Sequence, residues 1–426
     1  MLSKENNELL CRVGPGTPMG NVFRRFWNPI VMAKELPEAD GTPLRVRILG
    51  ENLVLFRDSS GQLGLLDELC LHRRTSLALG RVEEMGIRCL YHGWKFSTDG
   101  KLMEVPNCKD PRIQERLRTR AYPVREAGGL AWAYMGPPQL EPPLPNWRFM
   151  QIPPENVLVS KQDTGSNYMQ VYEGGADSSH VGILHTNAAR PGWIKGKAIE
   201  GANSPSGALL ASDDLAPDLE LEDTEFGFHY AALREMPSED GEPKKNIRIM
   251  PLIMPSTRII PSTTMQFVVF EVPIDDVNTR SLHVAYRLDG EAFDKSGYDR
   301  PRGRDNPELL DPVTFRYLGS WENRFGQDRD AMKQDWTGIR GVIMEDIAIT
   351  MSPGPLIERH EEHLVPADAA VVRARKQLLD SAQLVQDGQD PIGLCADLSA
   401  VIACDETISV GRRWQELAPG HKARSN

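Results

Sequence analysis

Cys70-Leu71-His72 and, sixteen residues further on, Cys89-Leu90-Tyr91-His92 are the two short runs from which the rest of this chain can be interpreted. Each sets one thiolate and one imidazole within four residues, so both side chains can reach one small object. Together they offer two sulfur and two nitrogen ligands. That set suits a tetrahedral zinc ion or a two-iron, two-sulfide cluster. Zinc fingers tend to pair Cys with Cys and His with His along the chain. Here each run mixes the two, as expected when both loops approach a cluster and each gives its Cys to one iron and its His to the other. The mixed pattern favours the cluster over structural zinc. Two neutral imidazoles in place of thiolates raise the potential of such a centre.

Outward from these loops the sequence alternates. Leu44, Val46 and Ile48 interleave with Arg45 and Arg47, which predicts a half-buried strand. Gly50-Glu51-Asn52 turns into a second strand over 53–56, and Asp58-Ser59-Ser60-Gly61 turns again into 63–66, which leads to Cys70. After the second loop, Thr98-Asp99-Gly100 is a hairpin signal. Residues 128–135 read as a closing strand. A small all-β module therefore carries both loops at strand connections, where a rigid sheet commonly places a site.

Ahead of it, residues 1–40 read as a helical lead-in. Val22, Phe23, Phe26, Trp27, Ile30 and Val31 form an apolar face over 21–33, interrupted by Pro29 and expected to pack on another domain. Pro137-Pro138 and the proline-rich 141–145 read as an extended linker. The expected divisions are thus 1–40, 41–145 and 146–426. The last contains strand-like runs at 246–253, 258–260, 264–272 and 281–286, a polar Gly/Pro-rich surface loop at 291–310, and a helix over 367–386. The fold class expected is α+β, a small all-β domain joined to a larger one with an antiparallel sheet covered by helices.

Bulk properties narrow the function. The 426 residues carry 49 Lys+Arg against 60 Asp+Glu, a formal charge of −11, which argues against a nucleic-acid partner. The opening MLSKENNELL has no apolar core of a signal peptide, and the longest apolar runs are too short for a membrane span. Six cysteines in so long a chain do not make a disulfide framework, and a reducing, cytoplasmic setting is expected. Cys11, Cys108, Cys395 and Cys404 are assigned no chemistry.

A second pair of imidazoles lies at His180 and His185. On a straight helix, positions five apart differ by about 140° around the axis. Joint metal binding therefore needs a distorted or ending helix, and taken alone the pair reads as two unrelated residues. Taken with the Cys/His loops it resembles the Rieske non-haem iron oxygenases. Their motif Glu-Gly-x-x-Asp-x-x-His-x-x-x-x-His is matched at Glu173, Gly174, Asp177, His180 and His185. His72-Arg73 and His92-Gly93-Trp94-Lys95-Phe96 are similar to the family's cluster loops, with Leu71 where proline is common. Residues 5–14 (ENNELLCRVG), 16–20, 23–27, 354–359 (GPLIER) and 362–364 resemble the phthalate dioxygenase branch.

The resemblance implies a [2Fe-2S] Rieske cluster on Cys70, His72, Cys89 and His92. It also implies a mononuclear Fe(II) on His180, His185 and a carboxylate late in the chain. Asp346, in Ile343-Met344-Glu345-Asp346-Ile347-Ala348, fits that carboxylate, with Glu345 and Asp328/Asp330 as alternatives. Asp177 is expected to bridge a Rieske His of one subunit to an iron-ligand His of the next, which implies a head-to-tail homo-oligomer, a trimer or a pair of trimers. The expected activity is that of a terminal oxygenase. It would take electrons from an NAD(P)H-dependent flavin and iron–sulfur reductase and use O₂ to dihydroxylate an aromatic carboxylate, phthalate-like or phenoxybenzoate-like. The alternative is a monooxygenase that hydroxylates or O/N-dealkylates. A bare Rieske electron carrier would need only the small module and about two irons per chain, against about three for an oxygenase. Ser179 and Arg248 are the substrate-binding candidates. A second arginine expected near 200–210 is absent from GANSPSGALLASDD, and Arg190 is a possible substitute.

Overall fold

Alternation along one strand shapes the small module. In the computed structural model, which describes residues 2–36, 38–185, 214–236, 243–262 and 264–418, the strands Leu44–Ile48, Glu51–Arg57, Leu63–Asp67 and Ala121–Tyr122 form an antiparallel sheet. Successive side chains on a strand point to opposite faces. Leu53 and Leu55 accordingly enter a core shared with the N-terminal helices and the larger domain. Val54 and Phe56 enter a separate core beneath the ligand loops, with Leu77, Ile87, Trp94 and Phe96. A second sheet, from Arg81–Glu83, Gly86–Arg88, Lys95–Phe96 and Leu102–Glu104, carries the second loop between its middle strands. Its last two strands form the hairpin expected around Asp99-Gly100.

The lead-in departs from expectation. Helices span Lys4–Cys11 and Pro18–Arg24, but Trp27–Met32 is a strand, paired with Leu130–Tyr134. All six residues of that strand are buried. A strand covered on both faces reads as an unbroken apolar run, which period alone does not separate from a helix. Pro29, which lacks a donor N–H, sits beside a register shift between Pro29 and Val31.

The larger domain is built on one antiparallel sheet. Its order runs Val157–Thr164, Asn278–Arg287, Met265–Asp275, Thr257–Pro261, Lys244–Ile253, Gly227–Met236, Asp218–Thr224, and Cys404–Ser409 also pairs with Lys244–Ile253. Alternation again divides labour. Val268, Phe270 and Val272 face the shared core, where Trp132 and Trp147 meet Phe270 edge-on at 5.3 and 5.1 Å. Phe267, Val269 and Glu271 face the other way, into a cavity roofed by the helices Tyr168–Ala176 and Val342–Met351. The helix expected over 367–386 spans Ala369–Gln386. Fully buried Arg359 ties these parts together, because its guanidinium holds Glu173 at 2.8 Å and Asn7 at 3.0 Å. Arg375 holds the same Glu173 at 2.6 Å. The first glutamate of the motif is thus a structural anchor.

The stretch 291–310 is not a simple surface loop. It forms a short helix, Lys295–Asp299, and a 3-10 turn, Arg300–Arg302, with Tyr298 and Asp299 buried. Tyr298 packs between Phe267 at 6.1 Å and Phe293 at 5.7 Å. The polar composition hides a Tyr298/Arg302 pair at one-turn spacing that faces inward. Arg190 and residues 200–210 lie outside the described residues. Among those described, no helix is long and apolar enough to cross a membrane.

Candidate metal centres

The two Cys/His loops share one backbone device. The amide of Arg74 donates to the Cys70 carbonyl, and that of Gly93 to the Cys89 carbonyl, both at 3.0 Å. Each cysteine amide in turn donates across its loop, to Thr75 O at 2.9 Å and Trp94 O at 2.8 Å. The fourth residue after each cysteine is left-handed, Arg74 at φ 60 and Gly93 at φ 77. A Cβ on Gly93 would also press Pro106 Cγ at 3.0 Å.

These turns aim the side chains at one place. Cys70 and Cys89 are 1% and 2% exposed, and their thiols are neighbours. Burial pushes the Cys70 thiol up to about 11, so a thiolate there needs a cation to balance it. The imidazoles of His72 and His92 lie 4.3 Å apart, and His72 stacks on Trp94 at 4.9 Å. The Nδ1 atoms of both are buried without a hydrogen-bond partner. Orphaned buried nitrogens paired with buried sulfurs fit a metal group. The four ligand atoms do not converge on a point. Among the described residues, the set of three or more His, Cys, Asp or Glu ligand atoms within 4.8 Å of one another is elsewhere. A tetrahedral zinc would draw all four within about 4 Å. Sulfur beside sulfur and imidazole beside imidazole fit a two-iron cluster instead.

The set that does converge is His180, His185 and Asp346. The helix Tyr168–Ala176 stops before Asp177, and a single turn, Val181–Leu184, follows with His180 and His185 at its two ends. The broken helix supplies the distortion that five-residue spacing demands. Asp346 comes from the helix Val342–Met351, its Oδ1 3.1 Å from His185 Nε2 and 3.6 Å from His180 Nε2. Its side chain is 47% exposed because it faces the cavity.

Each imidazole turns its other nitrogen to a carboxylate. His185 Nδ1 lies 2.7 Å from Glu345 Oε2, whose Oε1 accepts from Thr337 Oγ1 at 2.6 Å. His180 Nδ1 lies 3.3 Å from Asp177 Oδ2. Asp177 Oδ1 accepts from the Ser179 amide at 2.6 Å and the Ser179 hydroxyl at 2.7 Å. Carboxylates placed so fix the tautomer and leave Nε2 free to bind a metal. Burial alone would lower the His185 imidazole, but Asp346 and Glu345 overcome it and raise it to about 10. Burial would raise Asp177, but His180 and Ser179 override it and hold it at about 2. Two imidazoles and one carboxylate around open space are the donor set of a non-haem Fe(II) centre. Glu345, the alternative ligand, orients His185 here, and neither Asp328 nor Asp330 joins the set.

The trio opens on a cavity of about 310 Å³. Its walls are mostly apolar and include Met250, Ile260, Phe267, Val269 and Ile347. Arg248 lines it, but its Nη1 donates to Asp405 at 2.8 Å, and both side chains are 3% exposed. Strand register builds that pair, since Arg248 and Asp405 are cross-strand partners. Ser179 is not among the lining residues, and its hydroxyl is spent on Asp177. Among the polar lining groups that sequence reasoning missed are Arg258, Arg302 and His283. Only the alternation of their strands hinted at the first and last.

Residues 26–123 match the Rieske [2Fe-2S] domain family, and residues 133–422 match the family described as LigXa C-terminal domain like. The phthalate 4,5-dioxygenase oxygenase subunit of Pseudomonas putida is 39% identical over 402 residues, 92% of this chain and 89% of that protein. The 3-chlorobenzoate-3,4-dioxygenase oxygenase subunit of Comamonas testosteroni is 34% identical, over 89% of this chain and 88% of that protein. The fold is similar to that of NdmA from Pseudomonas putida CBB5, seen in a mutant with theobromine. That likeness has a TM-score of 0.59 at 18% identity and covers 93% of this chain and 99% of that one.

Proposed function

The chain belongs to the Rieske non-haem iron oxygenases, in the phthalate dioxygenase-like branch, as an oxygenase subunit; from that premise we propose that it dihydroxylates an aromatic carboxylate, phthalate-like or phenoxybenzoate-like. Its cofactors are a Rieske [2Fe-2S] cluster and a mononuclear non-haem iron. The observation that carries the proposal is the opening of the His180, His185 and Asp346 trio onto an apolar cavity with arginines in its wall.

Cys70, His72, Cys89 and His92 would hold the cluster, and His180, His185 and Asp346 the iron. The chemistry supplied there, when both are bound, is single-electron delivery and O₂ activation. The chain's own residues do the rest. Glu345 and Asp177 hold the imidazoles of His185 and His180 by their Nδ1 sides, which keeps each Nε2 turned inward. Val269, Ile260 and Phe267 give an aromatic ring a surface to lie on and exclude water beside it. Arg248 is committed to Asp405, which balances its charge at the cavity wall. Ser179 acts through Asp177, holding its carboxylate ionised.

Asp177 is the proposed bridge to a Rieske histidine of a neighbouring copy, in a trimer or a pair of trimers. Support comes from the surface around His92, where Leu90 is 65% and Tyr91 53% exposed, an apolar patch suited to a protein partner. Electrons would come from an NAD(P)H-dependent flavin and iron–sulfur reductase. A cytoplasmic setting agrees with the four cysteines outside the cluster loops forming no disulfide. The divisions near residues 40 and 145 stand as part of the same proposal.

A single turnover of the prereduced protein with phthalate and isotopically labelled O₂, read by mass spectrometry, tests the reaction. A product diol with two labelled oxygens is expected. One labelled oxygen would make the enzyme a monooxygenase. No labelled product from phthalate, 3-chlorobenzoate or 3-phenoxybenzoate, with both iron centres loaded, would refute the substrate class.

A further inference from the structure

Among the arginines that line the cavity, one differs from the others in its partners. Arginine lines it at three described positions. Arg248 is neutralised by Asp405 at 2.8 Å, and Arg258 by Glu271 at 2.8 Å. Arg302 has no ion pair among the described residues. Its guanidinium lies 3.8 Å over the Tyr298 ring and 5.1 Å from the Phe267 ring centroid, and Nη1 donates to the Tyr298 carbonyl at 2.8 Å. Beyond Tyr298, and with Asp299 near it but in no ion pair, its guanidinium has no partner among the described residues, and none of its nitrogens is sealed inside the protein. The aromatic rings fix the plane of the fork and leave its edge to the cavity.

The position is fixed from behind as well. Gly303, left-handed at φ 72, lies against the head of the helix that carries Asp346, where a Cβ would come within 2.6 Å of Arg340 O and Met344 Cγ. The segment that holds Arg302 is therefore seated on the element that supplies the third iron ligand. His283, also in the wall, has a buried Nε2 without a partner. Burial and the neighbouring arginines keep that ring neutral, so it can share a polar contact but not neutralise an anion.

We propose that Arg302, not Arg248, takes the carboxylate of the substrate, as a specificity-determining residue at the cavity wall formed by Tyr298 and Phe267. This rests on the aromatic-carboxylate reading above and goes further by naming the group that reads the charge. A guanidinium fork matches a carboxylate in two parallel hydrogen bonds. It also accounts for the arginine that sequence reasoning sought near 200–210, since a cation outside that region faces the same cavity.

The test compares acids with their neutral amides on the anaerobic protein with both centres loaded: phthalate with phthalamide, and 3-phenoxybenzoate with 3-phenoxybenzamide, by titration calorimetry. The wild type should prefer at least one acid over its amide. Arg302→Gln should bind that acid about 10- to 100-fold more weakly and the amide unchanged. Cluster absorbance and iron content should stay at wild-type values. Arg302→Lys, which keeps the charge but not the fork, should fall between, and it decides the matter if Arg302→Gln does not fold. Wild-type acid affinity in either variant overturns the assignment and leaves the substrate class standing. A wild type indifferent to the charge of its ligand overturns both.

Discussion

The two centres hold histidines in opposite ways. At His72 and His92 the Nδ1 atoms are the buried, unpartnered ones, and the loops are shaped by their own backbone over 23 residues. At the other site Glu345 holds His185 Nδ1 at 2.7 Å, Asp177 faces His180 Nδ1 at 3.3 Å without a formed hydrogen bond, and both Nε2 atoms face inward. The cluster loops are pre-formed by main-chain hydrogen bonds. The iron trio is held by side chains from a broken helix and from another helix some 160 positions later. A site set by backbone tolerates changes in its neighbours' side chains. A site set by outer carboxylates does not.

The largest break in that contrast should come from Asp346→Ala. Iron should fall from about three to about two per chain, product should vanish, and the cluster's visible spectrum should be unchanged. Full iron and turnover in that variant would make Glu345 the ligand and undo the division of roles. Next is Asp177→Asn. Its amide presents a donor where His180 needs an acceptor, so product formation should drop about 100-fold or more while iron content stays near normal. Wild-type turnover would remove both the orienting and the bridging role. Glu345→Ala should weaken iron binding about 10- to 100-fold, measured by chelator competition. Excess Fe(II) should restore its activity but not that of Asp177→Asn. That split separates a residue that holds a ligand from one that also serves electron delivery.

The same contrast explains what could be read from sequence. The cluster loops were legible because their ligands are neighbours in the chain and their flanking strands alternate cleanly, as at Leu44, Val46 and Ile48. The His180/His185 pair was legible only beside the other motif, since helical spacing argued against it until the helix break appeared. Trp27–Met32 was misread because burial on both faces erases periodicity. The roles of Glu345 and Arg302 were not legible at all. Each depends on what lies opposite in space: His185 for one, Tyr298 and Phe267 for the other. Arg248 misled for the same reason, because its partner Asp405 sits on a strand 157 positions away.

The smallest effect probes the backbone device itself. Arg74 and Gly93 occupy the same place in their loops, and both are left-handed. An L side chain there costs about 1–2 kcal/mol, which Arg74 bears and Gly93 avoids. Gly93→Ala should therefore destabilise by about that amount, with Pro106 adding a contact at 3.0 Å. Arg74→Gly should relieve the strain and give back part of the gain, about 0.4–1 kcal/mol, through the freer unfolded chain, leaving stability level or slightly raised. Thermal loss of cluster absorbance measures both. Opposite or unequal shifts of this kind mean that the turns hold the cluster loops. Equal losses would mean that the Arg74 side chain, not its backbone, stabilises the first loop, and the two centres would then differ less than their hydrogen bonds indicate.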